Sequence, residues 1–132
     1  MAHALEHYPG KCRHIHGHTY ILHVSVAGEI LDQPGAPLDG MIADFGDIKK
    51  WVKDEVIDLF DHALVLRKKS EMAEMNWPDK HLSRILLTDY QPTCENIMLD
   101  IRDRLTKAAP AGINLVNLRL YETPTSYAEW SK

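Results

Sequence analysis

The run Cys12-Arg13-His14-Ile15-His16-Gly17-His18 carries the clearest chemical signal of the chain. On an extended backbone, residues two apart face the same side. His16 and His18 would therefore project together, placed to share one divalent cation. A catalytic zinc takes three protein ligands and keeps a fourth position open, so a third donor has to come from elsewhere. Of the eight histidines, five (His3, His7, His14, His16 and His18) fall within the first 18 residues. They are spaced rather than consecutive, unlike an expression tag. His23 has the wrong parity and should point away, and His62 and His81 are more distant candidates. On the residues alone His3, His7 and His14 stand level. A bare His-X-His also fits two surface histidines on an edge strand.

Other side chains could do acid–base work. Cys12 sits between Lys11 and Arg13, which with a nearby metal would favour the thiolate. Cys94 falls at an expected helix N-terminus, but its apolar helical context favours packing. Asp61 precedes His62, and a carboxylate beside an imidazole orients it for proton transfer; the same pair also suits a polar helix end. Glu122 closes an otherwise apolar strand face. A carboxylate there could accept two N–H bonds from a guanidine-like ring edge, or could simply be solvated. No Gly-rich dinucleotide fingerprint occurs.

These residues need elements to position them. His16 to Ile30 reads as a strand, with Tyr20, Leu22, Val24 and Val26 alternating against Ile21, His23 and Ser25. Leu31 to Gly40 is turn-rich, and Met41 to Asp44 reads as a short returning strand. A helix follows from Phe45 or Gly46 to Phe60, capped by Asp44, with Ile48, Trp51, Val52, Val56, Leu59 and Phe60 on one face. Leu64 to Tyr90 reads as an irregular, exposed excursion with one short strand, Arg84 to Thr88. Thr93 caps a second helix, Cys94 to Ala108, with Glu95 in its first turn. Val116 to Glu122 is a last strand, with Val116, Leu118, Leu120 and Glu122 on one face. The order implies an α+β fold, an antiparallel sheet with helices on one side.

The 132 residues suit a single domain, and 45% hydrophobic content supports a core. A net charge of −4 without an extended basic block argues against nucleic acid. No apolar run reaches the length of a membrane span. The N-terminus lacks a signal-peptide core, and two cysteines make no disulfide framework. The expected location is the cytoplasm.

Six motifs, taken together and in order, resemble the 6-pyruvoyltetrahydropterin synthase and 6-carboxytetrahydropterin synthase superfamily. They are Ala2-His3-Ala4-Leu5, the Cys12 to Tyr20 run, Asp44-Phe45-Gly46, Asp61-His62, Pro92-Thr93-Cys94-Glu95-Asn96, and Tyr121-Glu122-Thr123-Pro124-Thr125-Ser126. The resemblance spans nearly the whole chain. It implies His3, His16 and His18 as zinc ligands and Cys12 as the catalytic thiolate, with Asp61 and His62 as its acid–base partners. It further implies Glu122 as the anchor of the pterin pyrimidine edge, with Thr93 and Glu95 supporting the pterin pocket. The three residues between Cys12 and His16 resemble the 6-carboxy branch; the 6-pyruvoyl enzymes have a longer gap.

The implied fold is the tunnelling fold (T-fold). In it two helices pack on one face of an antiparallel sheet, and sheets join into a barrel in the oligomer. The implied assembly is a homohexamer of two trimers with sites at subunit interfaces. The implied reaction converts 7,8-dihydroneopterin triphosphate to 6-carboxytetrahydropterin, acetaldehyde and triphosphate, for 7-deazaguanine and queuosine synthesis. The alternatives are the 6-pyruvoyl synthase reaction and a non-catalytic zinc- or pterin-binding module. The first strand of this fold normally precedes Ala2-His3, so residues 1–132 are expected to form one domain whose first strand is missing or truncated.

Overall fold

The computed structural model describes residues 1–78 and 84–132. The candidate ligand His81 lies outside the described residues, as does the Asp79–Ser83 part of the expected excursion.

The second half of the chain builds most of the core. Strands β3 (Ile21–Ala27), β6 (Asn114–Thr123) and β7 (Ser126–Ser131) form an antiparallel sheet in the order β3-β6-β7. Leu22, Val24 and Val26 turn inward while Ile21, His23 and Ser25 face out, as period-two alternation requires. Helix α3 (Cys94–Lys107) packs on the inner face through Ile97, Ile101 and Leu105, a four-residue repeat on one stripe. Thr93 caps it, its hydroxyl accepting from the Asn96 N–H. Helix α1 (Phe45–Val52) runs on through a π-helical segment, Lys53–Ile57, into α2 (Asp58–Phe60). The Asp44 carboxylate caps α1 by accepting from the Gly46 N–H. Trp51, Val56 and Phe60 enter the same core as α3.

A second, smaller sheet holds the histidines. Strands β1 (Ala2–His3), β2 (His16–Gly17), β4 (Leu64–Arg67) and β5 (Ile85–Thr88) lie in the order β2-β1-β4-β5. β1 is antiparallel to β2, with His3 opposite His16, and parallel to β4, with His3 beside Val65. β4 and β5 are also parallel. β1 is therefore a central strand, and its short segment is fixed from both sides.

Several expectations need correction. The strand expected from His16 to Ile30 is two strands. The chain leaves one sheet after Gly17 and joins the other at Ile21, because β2 and β3 have different partners. β3 ends at Ala27, and at the following Gly28 the chain runs so close to Gly112 that a Cβ would meet its carbonyl at 2.9 Å. Met41 to Asp44 is not a strand. The Leu31–Met41 loop closes on itself through Leu31 N–H to Met41 O (2.9 Å) and Gly40 N–H to Leu31 O (2.8 Å). The excursion does not begin at Leu64: Leu64, Val65 and Leu66 are among the most buried residues, at 3%, 0% and 1% exposed. Burying each such side chain is worth about 1.5–3 kcal/mol. Val116 does not share the face of Leu118 and Leu120. A bulge pairs Ser25 with Asn117 and Val26 with Leu115, so Leu115 turns inward instead. Strand β7 was not expected at all. The sheets are antiparallel-rich with helices against them, but one is mixed, and among the described residues no closed barrel forms within the chain. Among those residues no helix is long and apolar enough to cross a membrane.

Candidate functional site

His3 arrives on β1, His16 on β2 and His18 just beyond it. Their available ring nitrogens all lie within 4.8 Å of one another. The ring centroids are 4.5 Å apart for His3 and His16, 5.6 Å for His3 and His18, and 5.1 Å for His16 and His18. The other contenders are elsewhere: His7 is 88% exposed, His14 is exposed, and His23 stacks near Tyr121 on the outer face of the sheet.

The hydrogen bonds prepare the imidazoles for a metal. His3 Nδ1 donates to the Pro92 carbonyl at 2.7 Å, and His16 Nδ1 to the His14 carbonyl at 2.8 Å. A carbonyl cannot donate, so in both rings Nδ1 carries the proton and Nε2 keeps its lone pair. Such outer partners fix tautomer and ring orientation in metal sites. His3 is only 1% exposed. Burial lowers its pKa below the usual imidazole value, opposed by the Pro92 bond and the Glu122 charge and reinforced by His16 and, less, by His18. The shift favours the neutral ring, the form that binds a metal. Tetrahedral zinc with bonds of about 2.0–2.1 Å needs donor nitrogens roughly 3.3 Å apart. The triad reaches that by a modest closing of its rings, so these three residues fit one metal ion.

Tyr20, which the sequence reading placed on a strand and at the end of the Cys12 to Tyr20 motif without giving it a role, belongs to the same cluster. Its hydroxyl donates to Glu122 Oε1 at 2.9 Å and lies 3.4 Å from His3 Nε2. The contact follows from register: Ile21 pairs with Tyr121, so the preceding Tyr20 faces Glu122 at the end of the sheet. Burial, then the Glu122 charge and hydrogen bond, push the Tyr20 pKa well above its ordinary value. The hydroxyl thus stays a donor. Glu122 Oε1 is also 3.6 Å from His3 Nε2. Tyr20 could have been found from its parity, two residues beyond His18 on the same alternation.

Cys12 is half-buried in a 3-10 turn, Lys11–Arg13, and its carbonyl accepts from the Leu5 N–H at 2.9 Å, folding the β1–β2 loop back on β1. Thr93 follows Pro92, whose carbonyl holds His3, and its hydroxyl is engaged as the α3 cap. Glu95 is exposed in the first turn of α3. Cys94 is buried and its thiol donates to the Leu120 carbonyl at 3.3 Å. Burial raises it to about 11, overriding the helix N-terminus. Asp61 lines a cleft of about 370 Å³ shared with His18, Thr19 and Tyr20. His62 Nδ1 is 3.0 Å from Asp61 Oδ2, but the two side chains are 85% and 60% exposed. His62 also has φ 57°, a left-handed conformation that usually falls to glycine at a helix end.

Comparison with known proteins now decides the family. The family model described as 6-pyruvoyl tetrahydropterin synthase matches residues 1–132. The chain belongs to the 6-pyruvoyl tetrahydropterin synthase family. It is an enzyme of the lyase class within that family. Among its relatives is the 6-carboxy-5,6,7,8-tetrahydropterin synthase of Haemophilus influenzae, 35% identical over 136 residues that cover 100% of this chain and 92% of the relative. The protein of the same name from Rickettsia felis is 30% identical, covering 96% of this chain and 90% of the relative. A solved structure of 6-pyruvoyltetrahydropterin synthase from Plasmodium vivax shares the fold with a TM-score of 0.72 at 20% identity, covering 99% of this chain and 88% of that one. An uncharacterized protein from Wolinella succinogenes aligns with a TM-score of 0.76 at 19% identity, covering 98% and 91%.

Proposed function

We propose that this family member is a zinc-dependent 6-carboxytetrahydropterin synthase. It would convert 7,8-dihydroneopterin triphosphate and water to 6-carboxy-5,6,7,8-tetrahydropterin, acetaldehyde and triphosphate. The observation that carries this reading is the convergence of His3, His16 and His18, with Nδ1 of His3 and of His16 held by backbone carbonyls, beside Tyr20 and Glu122. Three imidazole ligands suit zinc and leave a position for substrate. When bound, the metal supplies Lewis acidity that loosens protons on the substrate side chain.

The residues of the chain would do the rest. Cys12 as thiolate takes a proton from the side chain. His62, oriented by Asp61, relays another. Thr93, Glu95 and Glu122 offer polar groups to the pterin. Proton movement reduces the ring internally, so no nicotinamide is required. The exposure of Asp61 and His62 supports a site completed by a neighbouring subunit, in a homohexamer of two trimers whose sheets join into a barrel. The product of this reaction would feed 7-deazaguanine and queuosine synthesis, and the proposed location is the cytoplasm.

The 6-pyruvoyl reaction is the second reading, favoured by the fold shared with the Plasmodium vivax enzyme. The names of the more similar relatives and the short Cys12–His16 gap favour the 6-carboxy reaction. Incubation with dihydroneopterin triphosphate and mass analysis of products separates them. Acetaldehyde with a one-carbon carboxyl on the ring is expected. A retained three-carbon side chain would transfer the assignment to the 6-pyruvoyl reaction, and no turnover would leave a binding module.

A further inference from the structure

The small sheet has two faces, and the triad uses one of them. Val65, beside His3 in register, enters the main core, while Ala4, Leu64 and Leu66 form a separate apolar cluster, as alternation along strands requires. Met72 and Ala73, from the segment after β4, pack against that second cluster. A cleft of about 280 Å³ stays open between this segment and the β1–β2 loop, and Ala4, Leu5, Leu66 and Met72 give it an apolar lining. It shares no residue with the triad or with the cleft that Asp61 lines. Small-molecule sites are concave and mostly apolar, with a few polar groups that fix orientation, and most occupy about 300–1,000 Å³. The volume here suits a small ligand.

The charges at the rim select its chemistry. Arg13 and Arg67 both line the cleft, and both are exposed. Arg102, Arg104 and Arg119 each pair with a carboxylate. Among the described residues, Arg13 and Arg67 have no such partner; Arg13 Nε donates to His14 Nε2 at 3.3 Å, which leaves its terminal nitrogens as donors. Of the two carboxylates at the rim, Glu6 is engaged: its Oε1 accepts from the Glu71 N–H at 3.3 Å and lies 3.8 Å from His7 Nε2. Glu71 alone therefore opposes two guanidinium groups. A guanidinium offers a planar fork of donors that matches an oxyanion.

We propose that this cleft, on the face of the small sheet opposite the triad, is a second binding site for a small amphipathic anion. The apolar body lies on Ala4, Leu66 and Met72, and the carboxylate, phosphate or sulfonate head meets Arg13 and Arg67.

The test follows methyl-labelled methionine in the purified protein during titration with 2-naphthalenesulfonate, which joins an apolar body to an anion. Met72 lines this cleft and Met1 lines the one beside the triad, so the two methyl signals report the two places separately. The Met72 signal shifts to saturation and the Met1 signal stays. 2-Naphthol, which lacks the anion, and inorganic sulfate, which lacks the body, each bind roughly tenfold more weakly or worse. Arg67→Gln weakens sulfonate binding by roughly tenfold and leaves 2-naphthol affinity unchanged. Glu71→Gln removes the opposing charge and strengthens sulfonate binding about twofold. Both positions are exposed, so both variants keep the wild-type midpoint of denaturant unfolding. A response at Met1 without one at Met72 would overturn the proposal. So would equal binding of the cation naphthalenemethylamine, unchanged sulfonate affinity in Arg67→Gln, or a wild type that binds no sulfonate.

Discussion

His3 is 1% exposed, held at Nδ1 by a backbone carbonyl and flanked by two imidazoles and the Tyr20–Glu122 pair. Asp61 and His62, which would move protons in the same reaction, are 60% and 85% exposed and touch each other. The candidate metal ligands are organised within a single chain; the proposed acid–base pair lies on its surface. The difference follows from the elements beneath each. The metal end rests on a central β-strand, on backbone carbonyls and on cross-strand register. The acid–base end hangs from the last turn of a helix, in a left-handed residue facing solvent. Backbone support fixes a side chain to within the tolerance that a metal demands, while an exposed pair acquires its geometry when something covers it.

Removing a group from each half should cause different failures. His16→Ala loses both zinc and turnover. Cys12→Ala keeps its zinc by metal analysis while turnover falls about 10²–10⁴-fold, the usual worth of a positioned acid or base. Zinc retained in the first variant, or unchanged turnover in the second, removes the corresponding role. A smaller effect sharpens the comparison. If a second chain completes the acid–base end, mixing unfolded and refolded Cys12→Ala with His62→Ala chains restores a measurable part of the activity that neither has alone. No recovery would place both groups in one chain. The smallest effect is on stability. His62→Gly relieves the left-handed conformation and raises stability by about 0.5–1 kcal/mol in denaturant unfolding, while turnover falls. A stability loss would show that the imidazole contributes packing instead.

Much of this arrangement could be read in the chain before it was seen in space. The pairing of His16 with His18, the capped helices and the place of Asp61–His62 after a helix all depend on local rules, period and capping, which sequence displays. The third histidine was beyond those rules. His3 stands on a strand two residues long, too short to show any period, and only its pairing with β2 and β4 separates it from His7 and His14. Strand β4 was hidden for a related reason. Ala63-Leu64-Val65-Leu66 is a four-residue apolar run, but Arg67-Lys68-Lys69 after it suggested solvent, and its partner β5 lies some twenty residues away in parallel. The bulge at Val116 shifted a face by one residue, which alternation alone cannot foresee. The Tyr20–Glu122 contact spans 102 residues of sequence and depends on that register.

The central claim is that three imidazoles hold one metal ion, and X-ray absorption at the zinc edge of the loaded protein addresses it most directly. The expected spectrum shows first-shell nitrogen or oxygen scatterers near 2.0–2.1 Å with the outer-shell pattern of about three imidazoles, and one zinc per chain. A sulfur scatterer near 2.3 Å, or fewer than three imidazoles, would mean that Cys12 or another group has taken the place assigned to His3, His16 or His18.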